Sequence, residues 1–299
     1  MFKRYKYTWT VAYGLALTLF TVYLALDTFV IPRVYTIAAE DGTPSEIDAA
    51  TAAPSAEITA ETYADENIQI ALTAYRAYDT DIYVADIRLS SPAYLQTAFA
   101  QNAYGRNVTE TTSEIAANAN AILVINGDYY GAQERGYVIR NGVLYRSSAD
   151  EDQEDLVIYG DGSFAIIREN EVSAEDLLAD GAVQVLSFGP ALVMDGVVSV
   201  STSDEVGRAM TSNPRTAIAI VDALHYYFIV SDGRTEQSAG LTLYELAAFA
   251  QSLGAQTAYN LDGGGSSTMV FNGEVVNNPT TNGTSILERR VSDIVWIGY

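Results

Sequence analysis

The segment Tyr259–Val270 reads Y-N-L-D-G-G-G-S-S-T-M-V and guides the interpretation of the whole chain. A short apolar run ends at Leu261, Asp262 and three glycines follow, and apolar residues return at Met269. Consecutive glycines let the backbone adopt positive φ and let other groups approach it closely. We therefore predict that a strand ends here in a loop that presents polar side chains.

This loop concentrates groups that can bind a ligand. It holds the carboxylate of Asp262, the amide of Asn260 and the hydroxyls of Ser266 and Ser267. The N–H groups of the three glycines can also form an anion-binding concavity. The loop is not a P-loop, because no Gly-Lys-Ser/Thr occurs and a strand is predicted after the glycines. A tight turn with a capping aspartate is the alternative, so other segments must decide.

Composition limits the available chemistry. The chain has 299 residues, 48% of them hydrophobic, which is ample for a core. A formal net charge of −22 argues against nucleic acid as a partner, and against anionic surfaces in general. No cysteine and only one histidine, His225, are present, so disulfides, thiolate nucleophiles and multi-histidine zinc sites are excluded. A Ser-His-Asp triad would have to use His225.

The first residues have the pattern of a membrane anchor. Lys3, Arg4 and Lys6 precede an apolar stretch of 23 residues, Trp9–Ile31, and about 20 apolar residues suffice to span a bilayer. Because the basic residues precede the span, we predict a cytoplasmic N-terminus and a single-pass cell-membrane protein whose main domain is extracytoplasmic. A cleavable signal peptide is the alternative, although its apolar region usually has about 7–15 residues.

Composition divides the chain into three segments. Residues 1–33 are predicted to be a cytoplasmic tip and transmembrane anchor. Residues 34–66, rich in Ala, Thr, Glu, Pro and Ser, are predicted to be a flexible extracytoplasmic stalk. Residues 67–299 carry the side chains that can build a core, and we predict one globular domain there.

Apolar patterns and turn signals predict an α+β domain, with a mixed, β-rich sheet core and a few packed helices. Two helices are expected to begin at Thr-x-x-Glu capping boxes, Thr111–Glu114 and Thr242–Glu245, and Gly254 is expected to end the second. Hairpins are expected at four dipeptides: Asn141-Gly142, Asp161-Gly162, Asp195-Gly196 and Asn272-Gly273.

The two halves of this domain share an order of parts. In each, a capping box, a helix and a strand lead to an Asn-x-Asp sequence, Asn126–Asp128 or Asn260–Asp262, and then to an Asn-Gly hairpin. We hypothesise two pseudo-symmetric halves whose strand ends meet and bring Asp128 and Asp262 to one cleft. Coincidence among common βα pieces is the alternative.

Polar clusters end four predicted strands, at residues 126–130, 213–216, 231–234 and 260–267. Loops at strand ends are the usual place for functional residues. These loops supply three carboxylates, including Asp232, and two guanidinium groups, Arg215 and Arg234. Carboxylates handle a proton or an oxocarbenium charge, and arginine grips phosphate with a bidentate fork, so cleavage at a sugar carbon next to a phosphate is favoured. The three aspartates leave open a site for Ca²⁺ or Mg²⁺.

Five motifs together resemble a known family. They are Asn126-Gly127-Asp128-Tyr129-Tyr130, Asn213-Pro214-Arg215-Thr216-Ala217, Asp232-Gly233-Arg234, Gly240-Leu241-Thr242-Leu243 and Asn260-Leu261-Asp262-Gly263-Gly264-Gly265-Ser266-Ser267-Thr268-Met269. In this order, over about residues 67–299, they are similar to the phosphodiester glycosidase family. That family includes the uncovering enzyme, which removes N-acetylglucosamine from a phosphodiester on mannose, and bacterial members often labelled exopolysaccharide biosynthesis proteins. The cysteine-rich accessory regions of the eukaryotic enzyme are absent from this sequence.

The resemblance implies a mixed α+β fold and hydrolysis of a sugar-1-phosphodiester. Carried over by position, it makes Asp128, Arg215, Asp232 and Asp262 active-site candidates. We predict Asp262 and Asp128 as catalytic carboxylates and Arg215 as the phosphate clamp. Substrate binding is predicted for Asn126, Tyr129, Thr216, Asp232, Arg234, Asn260, Gly263, Gly264, Gly265, Ser266 and Ser267.

The predicted function is hydrolysis of a glycosyl-phosphate bond in a cell-surface glycopolymer, such as an exopolysaccharide of the cell envelope, or in a nucleotide-sugar-like substrate. The predicted partners are this carbohydrate-phosphate substrate and the membrane. Two alternatives stay open. One is a non-catalytic envelope module that binds polysaccharide or assists its assembly. The other is a metal-dependent phosphodiesterase that cuts P–O rather than C–O.

Overall fold

A computed structural model describes residues 7–35, 55–150, 152–204 and 212–299. The predicted cytoplasmic tip and most of the predicted stalk lie outside these ranges. The helices are α1 (Thr8–Phe29), α2 (Thr112–Ala119), α3 (Ala174–Ala179) and α4 (Leu243–Ser252).

The strands of the first part of the chain are β1 (Arg33–Val34), β2 (Glu57–Ile58), β3 (Thr62–Ala64), β4 (Ile68–Ala77), β5 (Thr80–Leu89), β6 (Leu95–Phe99), β7 (Gly105–Arg106), β8 (Glu110–Thr111), β9 (Leu123–Asn126), β10 (Val138–Arg140) and β11 (Val143–Arg146). Those of the second part are β12 (Glu154–Tyr159), β13 (Phe164–Arg168), β14 (Ala182–Leu186), β15 (Ala191–Met194), β16 (Val197–Val198), β17 (Arg215–Asp222), β18 (His225–Ser231), β19 (Thr257–Leu261), β20 (Met269–Phe271), β21 (Glu274–Val275), β22 (Arg290–Val291) and β23 (Asp293–Ile297).

Helix α1 carries the apolar stretch near the N-terminus. It has 22 residues, and by length and composition it can cross a membrane. None of its residues is buried against the other described parts of the chain. A membrane anchor and a signal sequence share these properties, so the choice between them stays a prediction.

Three sheets build the domain. The largest has nine strands in the order β16-β15-β19-β17-β18-β5-β4-β3-β2. Two five-stranded sheets have the orders β21-β20-β9-β23-β6 and β11-β10-β14-β12-β13. Two-stranded pairs, β1-β7 and β22-β8, complete the described strands. Together with four helices, this arrangement confirms the predicted α+β class.

The three sheets share one core, and each carries a helix on its outer face. Alternation along β17 shows the principle: Ile218 packs into the common core, whereas Ala217 and Ala219 pack on the side that α4 covers. Helix α2 packs on the sheet that contains β9, and α3 packs on the sheet that contains β14. Helix-covered outer faces leave the sheet edges as the places where polar loops gather.

The predicted helix starts and hairpin turns, which depend on interactions within a few residues, are confirmed. Both capping boxes form, with Thr111 and Thr242 each accepting a hydrogen bond from the N–H three residues later. All four predicted dipeptides join paired strands. In three of them both residues have positive φ, as a type I′ turn requires, whereas at the Asp161-Gly162 turn only Gly162 does.

The nine-stranded sheet begins before Asn67, where the predicted domain starts. Strands β2 and β3 form a hairpin, and β3 pairs with β4. Tyr63 of β3 is only 5% exposed and belongs to the common core. One aromatic side chain in an otherwise polar stretch is enough to attach this hairpin to the sheet.

The two halves of the domain exchange strands. The first-half strand β9 pairs with β20 and β23, which follow much later in the chain. The second-half strand β19 pairs with β15 and β17. The end of β9 therefore reaches the end of β19, where the Asp262 N–H donates to the Gly127 carbonyl at 3.2 Å.

Candidate active site

A cleft of about 260 Å³ opens where the ends of β9, β18 and β19 and the start of β17 come together. Strand register explains the meeting. Thr216 of β17 lies opposite Leu261 of β19, and Arg215 lies opposite Ser231 of β18. The side chains that line the cleft are those of Tyr129, Phe188, Asn213, Arg215, Arg234, Asp262 and Arg289, with the backbone of Gly263 and Gly264.

Asp262 is the carboxylate on the cleft wall. It follows β19 directly and is partly buried. Burial raises the pKa of this carboxyl to about 6, against the attraction of Arg289, which lowers it. A carboxyl with this pKa changes its charge near neutral pH, as a general acid, a general base or a nucleophile often does.

Each of the three glycines lies against a different arginine. A Cβ on Gly263 would lie 3.9 Å from Cδ of Arg215, and one on Gly264 would lie 2.9 Å from Nη2 of Arg234. A Cβ on Gly265 would lie 3.0 Å from Nε and Nη2 of Arg289. Gly264 and Gly265 therefore make room for two guanidinium groups beside one carboxylate, while at Gly263 the close neighbour is the Pro214 carbonyl at 2.9 Å.

Hydrogen bonds fix these arginines to different degrees. Arg215 donates from Nε to the Leu241 carbonyl at 2.9 Å. Arg234 donates to Asn213 Oδ1 from Nε and Nη2, and to the Thr281 carbonyl from Nη1. The Arg289 side chain forms no hydrogen bond or ion pair with the described residues, so its donors are available to a ligand.

Part of the predicted cradle of amides is occupied within the protein. The Gly264 N–H donates to the Pro214 carbonyl, and the N–H groups of Ser266 and Ser267 donate to carbonyls inside the loop. Side-chain guanidinium groups, rather than these amides, therefore provide the positive charge in the cleft. The hydroxyls of Ser266 and Ser267 are buried, and that of Ser266 lies beside the Asp262 carboxyl, whose pKa it lowers.

Asp128 lies behind the cleft wall in a buried ion triad. Its Oδ2 accepts hydrogen bonds at 2.8 Å from Arg140 Nη2 and from the Ser187 N–H. The same Nη2 donates at 2.8 Å to Asp293 Oδ2, and all three side chains are at most 2% exposed. Burial and the nearby Asp128 raise the pKa of Asp293 to about 7, while Arg140 lowers it. The triad holds the start of the loop in which Tyr129 projects into the cleft.

Tyr129 has a backbone conformation that is uncommon for a side chain of its size. Its φ is 74° and its side chain is 46% exposed on the cleft wall. Such left-handed residues cost about 1–3 kcal/mol and occur preferentially at functional sites. The following residue, Tyr130, is turned away from this cleft and is 1% exposed.

The other predicted residues support the cleft from behind. Asn126 donates from Nδ2 to the Asp262 carbonyl at 2.6 Å, and its Oδ1 accepts from the Thr216 hydroxyl. Asn260 donates to the Gly189 carbonyl, next to Phe188 on the cleft wall. Asp232 is buried and accepts hydrogen bonds from the backbone and side chain of Asn278. None of these four side chains, those of Asn126, Thr216, Asn260 and Asp232, is among the residues that line the cleft.

Sequence patterns missed two side chains that line the cleft, Phe188 and Arg289. Phe188 precedes the Gly189-Pro190 peptide and has no motif of its own. Arg289 belongs to the only Arg-Arg pair in the sequence. The sequence has no lysine after Lys6. That pair was the available signal, because adjacent arginines are unusual in a chain this acidic.

The sequence left two further possibilities undecided, a metal site and a Ser-His-Asp triad. Within the described ranges, no group of three or more histidine, aspartate or glutamate side chains is arranged to hold a metal ion. His225 lies at the far end of β18, about 20 Å along the strand from Ser231, and its Nε2 contacts Asp86 at 2.9 Å. It cannot serve a serine at the cleft.

Comparisons with known proteins identify the family of this chain. A family model described as phosphodiester glycosidase matches residues 119–297. The SPbeta prophage-derived protein YomE of Bacillus subtilis is 29% identical over 201 residues, which cover 66% of this chain and 31% of that protein. N-acetylglucosamine-1-phosphodiester alpha-N-acetylglucosaminidase of Mus musculus is 28% identical over 187 residues, 57% of this chain and 35% of the mouse protein. The chain thus spans about a third of the length of these relatives.

A solved structure shares the fold. The catalytic domain of zebrafish N-acetylglucosamine-1-phosphodiester alpha-N-acetylglucosaminidase superposes with a TM-score of 0.61 at 18% identity. The match covers 90% of this chain and 88% of the zebrafish chain.

Proposed function

The chain belongs to the phosphodiester glycosidase family, and on this basis we propose that it is an extracytoplasmic hydrolase that cleaves the bond between a sugar and a phosphodiester. A cell-surface glycopolymer or a nucleotide-sugar-like molecule is the proposed substrate. The observation that carries the proposal is the cleft itself, in which one carboxyl, Asp262, faces three arginines.

The arginines are proposed to bind the phosphodiester. Arg289 has donors that no described residue occupies, while Arg215 and Arg234 are held in place by carbonyl and amide oxygens. Guanidinium groups bind phosphate oxygens through charge-assisted, often bidentate hydrogen bonds. The same contacts strengthen as the bridging oxygen takes up negative charge, so they stabilise the transition state more than the bound substrate.

Asp262 is proposed to act at the anomeric carbon as a carboxylate. The bond between that carbon and the bridging oxygen breaks, the oxygen leaves with the phosphate, and a water oxygen ends on the sugar. The leaving phosphomonoester has a second pKa near 6, so its bridging oxygen departs without needing a proton. One carboxylate is therefore sufficient where other glycosidases use two.

Tyr129 and Phe188 are proposed to contact the sugar ring. Both line the cleft with aromatic faces, and neither brings a charge next to Asp262. Asp128, which was predicted as a second catalytic carboxylate, is instead proposed to position the Tyr129 loop through its bonds to Arg140 and to the Ser187 N–H. Asn126 is proposed to fix the backbone of Asp262.

The proposed location rests on α1. Its length and composition suit a membrane span, and the basic residues at positions 3, 4 and 6 precede it. With this orientation the cleft lies outside the cytoplasm, where cell-surface polymers occur.

Hydrolysis by the full-length chain in detergent tests the function. UDP-N-acetylglucosamine and a panel of N-acetylglucosamine-1-phosphodiesters are incubated with wild type and with Asp262→Asn in ¹⁸O-water, with and without EDTA. We expect free sugar that carries ¹⁸O from wild type only. Label in the phosphate, with loss of activity in EDTA, would identify a metal-dependent phosphodiesterase. No turnover of any panel member, with glycan binding retained in both proteins, would identify a binding module.

A further inference from the structure

A second pocket of about 290 Å³ lies beside the segment that leaves α1. We name it the juxtamembrane pocket; it is lined by Arg33, Tyr35, Tyr104, Arg106, Tyr130 and Arg146, with parts of the 131–134 segment. One wall is the β1-β7 pair, in which Arg33 lies opposite Arg106. The candidate active site does not use this pocket.

Two buried donors in the juxtamembrane pocket have no acceptor. Arg146 donates to the carbonyls of Gly136, Tyr130 and Gln133, yet its Nη2 is buried without a partner among the described residues. The Tyr130 side chain is 1% exposed, and its hydroxyl lies close to the Gly105 N–H but has no acceptor among the described residues. Buried donors without acceptors are costly, and an anionic oxygen in the pocket would satisfy both.

Charge and aromatic character agree with an anionic headgroup. The other two arginines are paired, Arg33 with Asp27 and Arg106 with Glu134, whereas Arg146 lies beside the Tyr104 hydroxyl and has no carboxylate partner among the described residues. Its charge is therefore left for a ligand. Tyr104 stacks on Tyr130 with ring centroids 5.3 Å apart, so flat aromatic faces complete the wall. Tyrosine is enriched at membrane–water interfaces for its amphipathic ring.

The position of the pocket selects the membrane as the source of the ligand. Arg33 is four residues beyond Phe29, the end of α1, so it lies within about 14 Å of chain length from that end. Asn107 donates to the carbonyls of Thr28 and Ile31, which ties the end of α1 to the pocket wall. The headgroup layer is about 5–7 Å thick on each side of the hydrocarbon. A pocket so tied to the end of a span lies within reach of that layer.

We propose that the juxtamembrane pocket binds the phosphate of an anionic phospholipid headgroup, held by Arg146 Nη2 and the Tyr130 hydroxyl. The net charge of −22 repels an anionic surface overall, so a single buried cationic pocket near α1 would set how the domain sits on the membrane. The proposal rests on α1 crossing the membrane and is independent of the reaction at Asp262.

Native mass spectrometry of the full-length protein in non-ionic detergent tests this proposal. Phosphatidylglycerol and phosphatidylcholine are titrated against wild type, Arg146→Gln, Tyr130→Phe and the surface control Arg168→Gln. Tyr130→Phe keeps the buried ring and removes a hydroxyl that has no acceptor within the described chain, so it should fold normally. We expect phosphatidylglycerol to bind wild type and Arg168→Gln at least tenfold more tightly than phosphatidylcholine, and both pocket variants to lose at least fivefold of that preference.

Competition identifies the source of the phosphate. Inorganic phosphate and N-acetylglucosamine-1-phosphate are added to the phosphatidylglycerol complex, and we expect neither to displace the lipid at equal concentration. Displacement by the sugar phosphate would overturn the proposal in favour of a second substrate subsite. Equal binding of the two lipids by wild type would also overturn it, as would an unchanged preference in folded Tyr130→Phe.

Discussion

Gly264 and Arg234 lie so close together that a methyl group on the glycine would come within 2.9 Å of the arginine Nη2. Gly264 also has a φ of 62°, a conformation that costs an L-residue about 1–2 kcal/mol. Because the guanidinium group is already fixed by Asn213 and Thr281, it cannot move away without breaking those bonds.

Gly264→Ala should therefore lower kcat/KM for a glycosyl phosphodiester at least tenfold. Gly142→Ala is the matched control, since Gly142 has a φ of 76° but no atom within 4 Å of the place that its new methyl group would occupy. Both variants should lose stability in urea from the positive φ, Gly264→Ala somewhat more because of its contact with Arg234, and only Gly264→Ala should lose activity. Equal activity in the two variants would remove Arg234 from the site.

The pH dependence of the reaction should report the Asp262 carboxyl. Its pKa is raised to about 6, and the proposed role needs the charged form. We expect kcat/KM to rise about tenfold per pH unit below 6 and to level off above it, because a phosphodiester stays singly charged over this range. Initial rates between pH 4.5 and 8 measure this. Activity that falls above pH 6 would make Asp262 the proton donor.

The Asp262 carboxyl should make the folded protein less stable over the same pH range in which it makes the enzyme more active. A carboxyl whose folded pKa is raised binds protons more readily when folded, so it destabilises the fold as pH rises from about 4 through 6. Asp262→Asn should thus be more stable than wild type at pH 7.5, by roughly 1 kcal/mol for a partly solvated group, and equal to it at pH 4. Urea unfolding at both pH values measures this, with the exposed turn variant Asp195→Asn as a control that should change at neither.

Adjacent arginines offer a matched test of phosphate binding. Arg289 lines the cleft, whereas Arg290 is 52% exposed and pairs with Glu114. Arg289→Gln should lower kcat/KM for phosphodiester substrates about 10–100-fold, the range for one charge-assisted hydrogen bond of about 1.5–3 kcal/mol.

Arg289→Gln should also move the acidic limb of the rate profile to higher pH, because Arg289 lowers the pKa of Asp262. Arg290→Gln should match wild type in both measurements. A loss of activity in the Arg290 variant alone would place the phosphate elsewhere.

The buried triad should be a stability element. Arg140→Gln leaves Asp128 and Asp293 buried without their cation, which should cost about 3–5 kcal/mol at pH 7.5. The pKa of Asp293 is already raised to about 7, and losing Arg140 raises it further, so the cost should be larger at pH 9, where wild type has lost this proton, than at pH 6, where both proteins hold it. Urea unfolding at pH 6 and pH 9, beside the exposed control Arg168→Gln, measures the difference. An equal loss at both pH values would contradict the assignment.

The sequence predicted what short-range rules control. The capping boxes at Thr111 and Thr242 and the Asn-Gly turns formed as expected, because their backbone bonds lie within a few residues. The gathering of Arg234 and Asp262 follows the predicted rule of polar residues at strand ends, whereas Arg215, predicted at a strand end, begins β17 and reaches them because β17 runs antiparallel to β18 and β19.

Long-range packing decided the rest. The environment of Asp128 depends on Arg140 and on Asp293, which is 165 residues away. No local sequence pattern predicts that these three side chains are buried together. Arg289 reaches the cleft only because Gly265 leaves room for it. The pairing of β2 and β3 with the main sheet depends on Tyr63 finding the core, in a stretch whose composition predicts none.

The exchange of strands between the halves limits how such a protein can be divided or recombined. A fragment that stops before residue 205 contains β9 but neither β20 nor β23, so both edges of a fully buried strand would be unpaired. Such edges favour aggregation. A chimaera that takes one half from a relative should therefore fold only where the exchanged strands fit the strands that they pair with in the other half. The two halves depend on each other for folding.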